Sequence, residues 1–323
     1  MSCTILPFRA GKSNQVNPET PLVSVLMPVR DTEQYVGLAI SSILTQSFSE
    51  FEFLIIDDGS SDQTPALLKH AADQDHRIRL ITQATDGVRV ALSRGLESAR
   101  GQYIARMDAD DIALPDRLEK QVTYLDSHPG VVGVGGQTWA IDSDDLRLFP
   151  IELPTDPEAI EQSLLSGKNC ISNPTTMLRR RAVQIAGGYK DEYPTDDYGL
   201  WLRLLEVGPL HNQADFVLEY RLHAAQTTLS KHQSQLTAAH RIVNEARERR
   251  GLPLLAELPP DHSPASIARI HHHWAMSAAQ SGQWKAARKH AKYAITMEPA
   301  NLHAWWTMFK GCFHLRLRQR QPQ

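Results

Sequence analysis

A chain of 323 residues, 41% hydrophobic and 22% charged, has the make-up of a soluble globular protein with room for one large domain and an appendage, or for two domains. Its net charge of -3 gives no electrostatic basis for binding nucleic acid. Cys3, Cys170 and Cys312 lie far apart with no paired spacing, which argues against a disulfide framework or a zinc site and fits a reducing compartment.

Residues 1–20 mix Pro, Gly, Asn and Ser without periodicity and read as a flexible lead-in. Ile5-Leu6 is followed at once by Pro7, so no signal-peptide core develops, and no run approaches the roughly eighteen apolar residues of a membrane span. A cytoplasmic location is expected. The basic residues Arg316, Arg318 and Arg320 leave peripheral contact with the inner face of a membrane open.

Leu22 to Met27 is a buried-strand run ended by Pro28. From Thr32 to Gln46, Val36, Ala39, Ile40, Ile43 and Leu44 follow helical spacing. Phe51 to Ile56 is the next apolar strand, stopping at Asp57-Asp58-Gly59-Ser60-Ser61-Asp62, after which Thr64-Pro65 has the form of an N-cap and first helical residue. A strand over Arg77 to Thr82 and a helix over Val88 to Ala99 lead to the strand Tyr103 to Met107. Apolar strands alternating with helices predict a parallel sheet covered on both faces, with ligands outside the carboxyl ends of its strands.

At one such end stands Asp108-Ala109-Asp110-Asp111. In extended chain Asp108 and Asp110 share a face. Two ionised carboxylates there repel unless a cation lies between them, and hard ions such as Mg²⁺ or Mn²⁺ take carboxylates together with substrate phosphates. The same spacing also suits a solvated acidic loop, or a cap for the helix that starts at Pro115 and runs to Ser127.

Beyond it the regular alternation is lost. Val131 to Ile141 is Gly-rich and strand-like, Asp142 to Pro154 reads as a polar loop, and Thr175 to Leu178 and Phe216 to Leu222 read as strands. Asp197 to Val207 reads as an amphipathic helix with Leu200, Trp201, Leu204 and Leu205 inward. From Ala224 onward the signals are helical, and Ala279, Gly282, Trp284, Ala287, Ala291, Ala294 and Pro299 have the spacing of one tetratricopeptide hairpin. His271-His272-His273 point in different directions on a helix, so no shared metal is expected there.

Four segments, in order, resemble family 2 glycosyltransferases of the GT-A fold: VSVLMPVRDTEQYVGLAISSILTQSFSEFEFLIIDDGSSDQT, GQYIARMDADDIALPDRLEKQV, AGGYKDEYPTDDYGLWLRLL and EYRLHAAQTT, together covering about 22–228. The resemblance implies an α/β fold with a GT-A type, Rossmann-like, mostly parallel sheet and helices on both faces, and the helical signals beyond it add an all-helical C-terminal appendage. With the lead-in at 1–20 and the helical signals at the C-terminus, the chain divides into 1–20, a catalytic domain at 21–230 (21–135 for the nucleotide, 136–230 for the acceptor) and a helical region at 231–323.

The resemblance also assigns roles. Pro28, Val29 and Arg30 would grip a nucleotide sugar, with a UDP-sugar as the expected donor. Asp58 would recognise the base, since a carboxylate accepts a hydrogen bond from a ring N–H. Asp110 would hold a divalent ion, Mn²⁺ or Mg²⁺, and Asp108 would assist it or touch the ribose. Asp197 would be the base that activates the acceptor hydroxyl of a glycan or lipid-linked acceptor, and a helix start beside it favours its ionised form. Asp196, Gly188 and His223 would lie near the acceptor or diphosphate.

This chain departs from the family pattern at Arg30-Asp31, where Tyr-Asn is common, at Leu92-Ser93 for Arg-Asn, at Asn173 for His, and at Asp196-Asp197 for Glu-Asp. Rival readings are a glycoside hydrolase, which has no need of a D-x-D at a strand end; a sugar-phosphate nucleotidyltransferase, which would want a Gly-rich loop where Pro28-Val29-Arg30-Asp31 has none; and an inactive nucleotide-sugar-binding scaffold.

Overall fold

A computed structural model describes residues 20–190, 195–222, 232–256 and 267–318. The described residues within 1–137, 153–218 and 231–259 form one compact unit, and those within 138–152, 219–230 and 260–323 form a second.

The first unit opens with strands β1 (Val23–Val29), β2 (Phe51–Asp58), β3 (Ile78–Gln83) and β4 (Tyr103–Arg106). Helices α1 (Val36–Leu44), α2 (Thr64–Gln74) and α3 (Val88–Ser98) connect them. β1 lies between β2 and β4, parallel to both, with Leu26 level with Leu54 and Arg106. Leu26, Leu54, Ile56 and Ile104 pack on Ala91 and Ala99. The alternate residues Val25, Met27, Phe53 and Ile55 are equally inaccessible, so both faces of these strands are covered, as their unbroken apolar runs require. Gly95 lets α3 come down on the sheet: a Cβ there would lie 2.9 Å from Ile56 Cδ1.

Glu52 is the polar exception within the apolar stretch Phe51 to Ile56 of β2. Buried, it accepts the Ser24 hydroxyl at 2.7 Å, Arg79 at 2.6 Å, and both the backbone N–H (2.7 Å) and Nε (2.9 Å) of Arg100. Burial alone would raise its pKa, but these bonds together hold it below the ordinary carboxylate value. Its stabilisation is therefore present above the unfolded-state pKa and lost as pH falls through the folded one. Glu52→Gln is expected to cost about 1–3 kcal/mol in urea unfolding at neutral pH, with the difference shrinking in acid, where wild type is neutral too.

Beyond β4 the pairing turns antiparallel. β8 (Met177–Arg179) runs against β4, and β6 (Gly133–Ile141) runs against β8. With β5 (Ile112–Ala113), β7 (Arg147–Ile151) and β9 (Leu210–Arg221), the sheet has the order β3-β2-β1-β4-β8-β6-β9-β5, with β7 on β6. A second core surrounds the fully buried Trp201. It draws on α5 (Pro157–Leu165), α6 (Arg180–Ile185), α7 (Asp196–Leu204) and α8 (His232–Arg249).

In the second unit β7 pairs with the end of β6, and Ala140 and Leu148 pack on Trp274, Ala278, Ala286 and Ala287. These come from α9 (Ile267–Gln280) and α10 (Trp284–Met297), a helical hairpin turned at Gly282, and α11 (Leu302–Arg318) follows.

Several local readings need correction. The supposed loop Asp142 to Pro154 contains β7, whose Pro150 is tolerated because the strand pairs only with β6 among the described residues. The first helix begins at Val36 rather than Thr32. Thr64 is the first residue of α2 and not its cap; Asp62 Oδ1 accepts its N–H at 2.9 Å. α5 carries a plain sequence signal: Asp156 caps it, accepting from the Ala159 N–H at 2.8 Å, and Pro157 follows.

Candidate active site

The chain steps outward from β1 to β2 to β3, then returns to place β4 on the other side of β1. In open α/β sheets such a reversal opens a crevice at the carboxyl ends of the strands, where ligands bind. Pro28, Val29 and Arg30 end β1 there, Asp57 and Asp58 end β2, and Met107 to Asp111 follow β4.

The β1 and β2 loops are stitched together. Asp31 takes φ 47°, a left-handed conformation that Asp and Asn tolerate, so Asp can replace the common Asn at this turn. Its Oδ1 accepts the Ser61 N–H at 2.7 Å, and its own N–H donates to Ser60 Oγ at 3.0 Å. Asp57 Oδ1 accepts the Ser60 hydroxyl at 2.6 Å. Asp58 is buried; its Oδ1 accepts Gln83 Nε2 at 2.7 Å and the N–H groups of Asp86 and Gly87 at 2.9 and 3.1 Å. Oδ2, which accepts Gly87 N–H at 3.0 Å and lies 3.9 Å from the half-exposed Arg30 guanidinium, carries the remaining acceptor capacity. Asp58 therefore also builds the loop that leads into α3.

The acidic cluster is organised by two buried arginines. Arg106 donates to Asp108 Oδ1 at 2.6 Å and to the Met107 carbonyl. Arg117, on α4 (Arg117–Ser127), is fully buried and donates to the Arg106 carbonyl at 2.6 Å. Burial draws the Arg117 pKa down to about 9, against the opposing charge of Asp111. Asp111 is buried, and the cap position of α4 belongs to Asp116, so Asp111 is not the cap of that helix.

Asp108 is pushed above the ordinary carboxylate value, chiefly by burial and further by Asp110, while Arg106 and Arg117 oppose the rise. Asp197, in the first turn of α7, is raised as well. Burial dominates and the Asp108 charge adds to it, while the Tyr198 N–H (2.8 Å) and Arg106 pull the other way. The helix start thus does not decide its state. Tyr189 is pushed up to about 12 by burial, with Arg106 opposing and Asp197, Asp108 and Asp196 adding. These shared influences bring Asp108, Asp196, Asp197, Tyr189 and Arg106 into one electrostatic neighbourhood.

Gly187 and Gly188 adopt φ 80° and 65°, and Arg203 of α7 fixes their turn by donating to the carbonyls of Ala186 at 3.0 Å and Gly188 at 2.7 Å. Leu92 is a core residue in the Trp201 cluster, so the cation common at that position is absent here. His223 lies outside the described residues. The sequence alone assigns no role to Arg106, Arg117 or Arg203, although an arginine inside the apolar run Tyr103 to Met107 is itself a signal.

Among the described residues, no group of three or more His, Cys, Asp or Glu converges to hold an ion. Asp108 and Asp110 supply hard oxygen donors only. That suits Mg²⁺ or Mn²⁺, which take one or two carboxylates and complete their shell with water and substrate phosphate.

The sequence profile of Glycosyl transferase family 2 matches residues 24–185. The chain belongs to glycosyl transferase family 2. Over 214 residues it is 33% identical to the O-antigen biosynthesis glycosyltransferase WbnJ of Escherichia coli, covering 65% of this chain and 83% of WbnJ. Among solved structures, the mannosyltransferase PcManGT from Pyrobaculum calidifontis, in complex with GDP-Man and Mn²⁺, superposes with a TM-score of 0.54 at 16% identity, covering 94% of this chain and 88% of that one. Staphylococcus aureus TarS 1–349 in complex with UDP-GlcNAc gives 0.54 at 14% identity, covering 90% and 88%. Both likenesses establish the fold, which is the GT-A type, with a mixed sheet and C-terminal helices.

Proposed function

We propose that this family 2 enzyme transfers one sugar from a nucleotide-diphosphate sugar to a hydroxyl of a glycan or lipid-linked acceptor, with inversion, in cell-envelope polysaccharide synthesis. The observation that carries the reading is that Arg106, which pairs with Asp108 at 2.6 Å, also acts electrostatically on Asp197, at the carboxyl end of the strands where β1 and β2 lead to Arg30 and Asp58. Arg30 and Asp58 bind the nucleotide end, with Asp58 Oδ2 accepting from the base. The complexes of PcManGT with GDP-Man and of TarS with UDP-GlcNAc support a nucleotide-sugar donor, and WbnJ, an O-antigen biosynthesis glycosyltransferase, supports the polysaccharide setting. The catalytic region is 21–230, with donor contacts before residue 136 and acceptor contacts after it.

In the transfer, the acceptor O–H gives its proton to the Asp197 carboxylate as its oxygen bonds to the anomeric carbon. The bond from that carbon to the phosphate oxygen breaks, and the nucleoside diphosphate leaves with the electron pair. A divalent ion held by Asp110 and Asp108 would neutralise the charge that develops on the diphosphate. The raised pKa of Asp197 suits proton uptake better than that of an ordinary aspartate. Asp196 and the Gly188 turn border the acceptor side.

The stereochemical claim has a direct test: NMR of the product formed from an α-linked donor should show a β-linked sugar. An α-linked product would rule out a single displacement and remove Asp197 as its base. A scaffold that only binds the donor is the second reading; the intact set Asp108, Asp110 and Asp197 speaks against it.

A further inference from the structure

α11 turns one side inward: Ala304 and Thr307 are buried, and Met308 packs on Ala294 and Ile295 of α10. Its other side presents Leu302, Trp305, Trp306 and Phe309 to solvent, at spacings of three, four and seven that place them on one helical face. Leu302 is 77% exposed, Phe309 69% and Trp306 58%. Single exposed apolar residues are ordinary, but a contiguous group of this size marks an interaction surface. The Trp306 and Phe309 rings stack at 6.5 Å, and the Lys310 ammonium lies 5.0 Å from the Trp306 ring.

Charge identifies the occupant. Residues 299–323 contain Lys310, Arg316, Arg318 and Arg320 and no Asp or Glu, on a chain whose net charge is -3. Tryptophans beside lysines and arginines suit the headgroup level of a bilayer, where the rings enter the interface and the cations meet anionic lipid. A two-fold contact between copies of this face would instead bring two such basic segments together. We propose that the outward face of α11 docks the protein on an anionic bilayer surface. The inference is independent of the transfer reaction. The attachment proposed is peripheral, at the bilayer surface; no helix of the described residues is long and apolar enough to cross a membrane.

The test uses the full chain with vesicles of phosphatidylcholine alone and of an equimolar mixture with phosphatidylglycerol, read by co-sedimentation and by tryptophan emission. Wild type should bind the anionic vesicles at least ~10-fold more tightly than the neutral ones, with a blue-shifted emission and weaker binding in high salt. The double variant W306S/F309S, at exposed positions, should keep its helical circular dichroism and lose at least ~10-fold in affinity. Equal binding to both vesicle types, or unchanged binding by the folded double variant, would overturn the proposal. So would a vesicle-free dimer in sedimentation velocity that W306S/F309S abolishes, since the face would then belong to a second copy.

Discussion

Asp197→Asn is expected to lower the transfer rate by ~10²- to 10⁴-fold while leaving donor affinity nearly unchanged, because the amide keeps the shape of the side chain but cannot take the acceptor proton. The pH dependence makes the assignment specific. Burial holds the Asp197 pKa above the ordinary aspartate value, so the active carboxylate form is lost as pH falls through that raised value. The wild-type rate should therefore show an acid limb displaced upward from the free aspartate range, and the residual rate of Asp197→Asn should lack it. Stability should move in the opposite sense. A carboxyl group with a raised pKa favours the folded state when protonated, and that contribution is lost as pH rises through the folded value. Asp197→Asn should thus melt no lower than wild type at neutral pH, whereas a structural role would make it melt lower. Full transfer by Asp197→Asn would remove it as the base.

Asp110→Ala is expected to abolish the metal-dependent part of transfer, a loss of at least ~10²-fold, since a bound ion supplies several kcal/mol of charge stabilisation on a departing diphosphate. Asp110 gives a cleaner test than Asp108. Removing the Asp108 carboxylate would also strip the buried Arg106 of its 2.6 Å ion pair, which mixes a folding defect with a metal defect. Steady-state rates over a Mn²⁺ titration check the expectation. A variant whose rate still rises with Mn²⁺ as wild type does would place the ion elsewhere.

The parallel half of the fold was legible because β1, β2 and β4 are buried on both faces, and such strands appear in sequence as unbroken apolar runs. The strand ends also pointed to the candidate site, since Asp58 and Asp108 each stand just past the apolar part of one of those runs. β7 escaped because its short run Arg147-Leu148-Phe149-Pro150-Ile151 follows polar turn residues, and the proline argued against a strand that, among the described residues, has only one partner. The electrostatics of the site were beyond local reading. Whether Asp197 is ionised by its helix or neutralised by burial depends on Arg106 and Asp108, about ninety residues away in the chain. Asp58 shows the same limit from the other side. Its carboxylate already holds Gln83 and the N–H groups before α3, a structural role that a turn motif in the sequence does not announce.

The most direct test is calorimetric titration of the full chain with a panel of UDP- and GDP-sugars, with and without Mn²⁺, in wild type and Asp110→Ala. At least one donor should bind wild type more tightly, by ~10-fold or more, when Mn²⁺ is present, and Asp110→Ala should bind it equally weakly in both conditions. If no donor in the panel binds wild type more tightly with metal, the donor site built on Asp108 and Asp110 is contradicted.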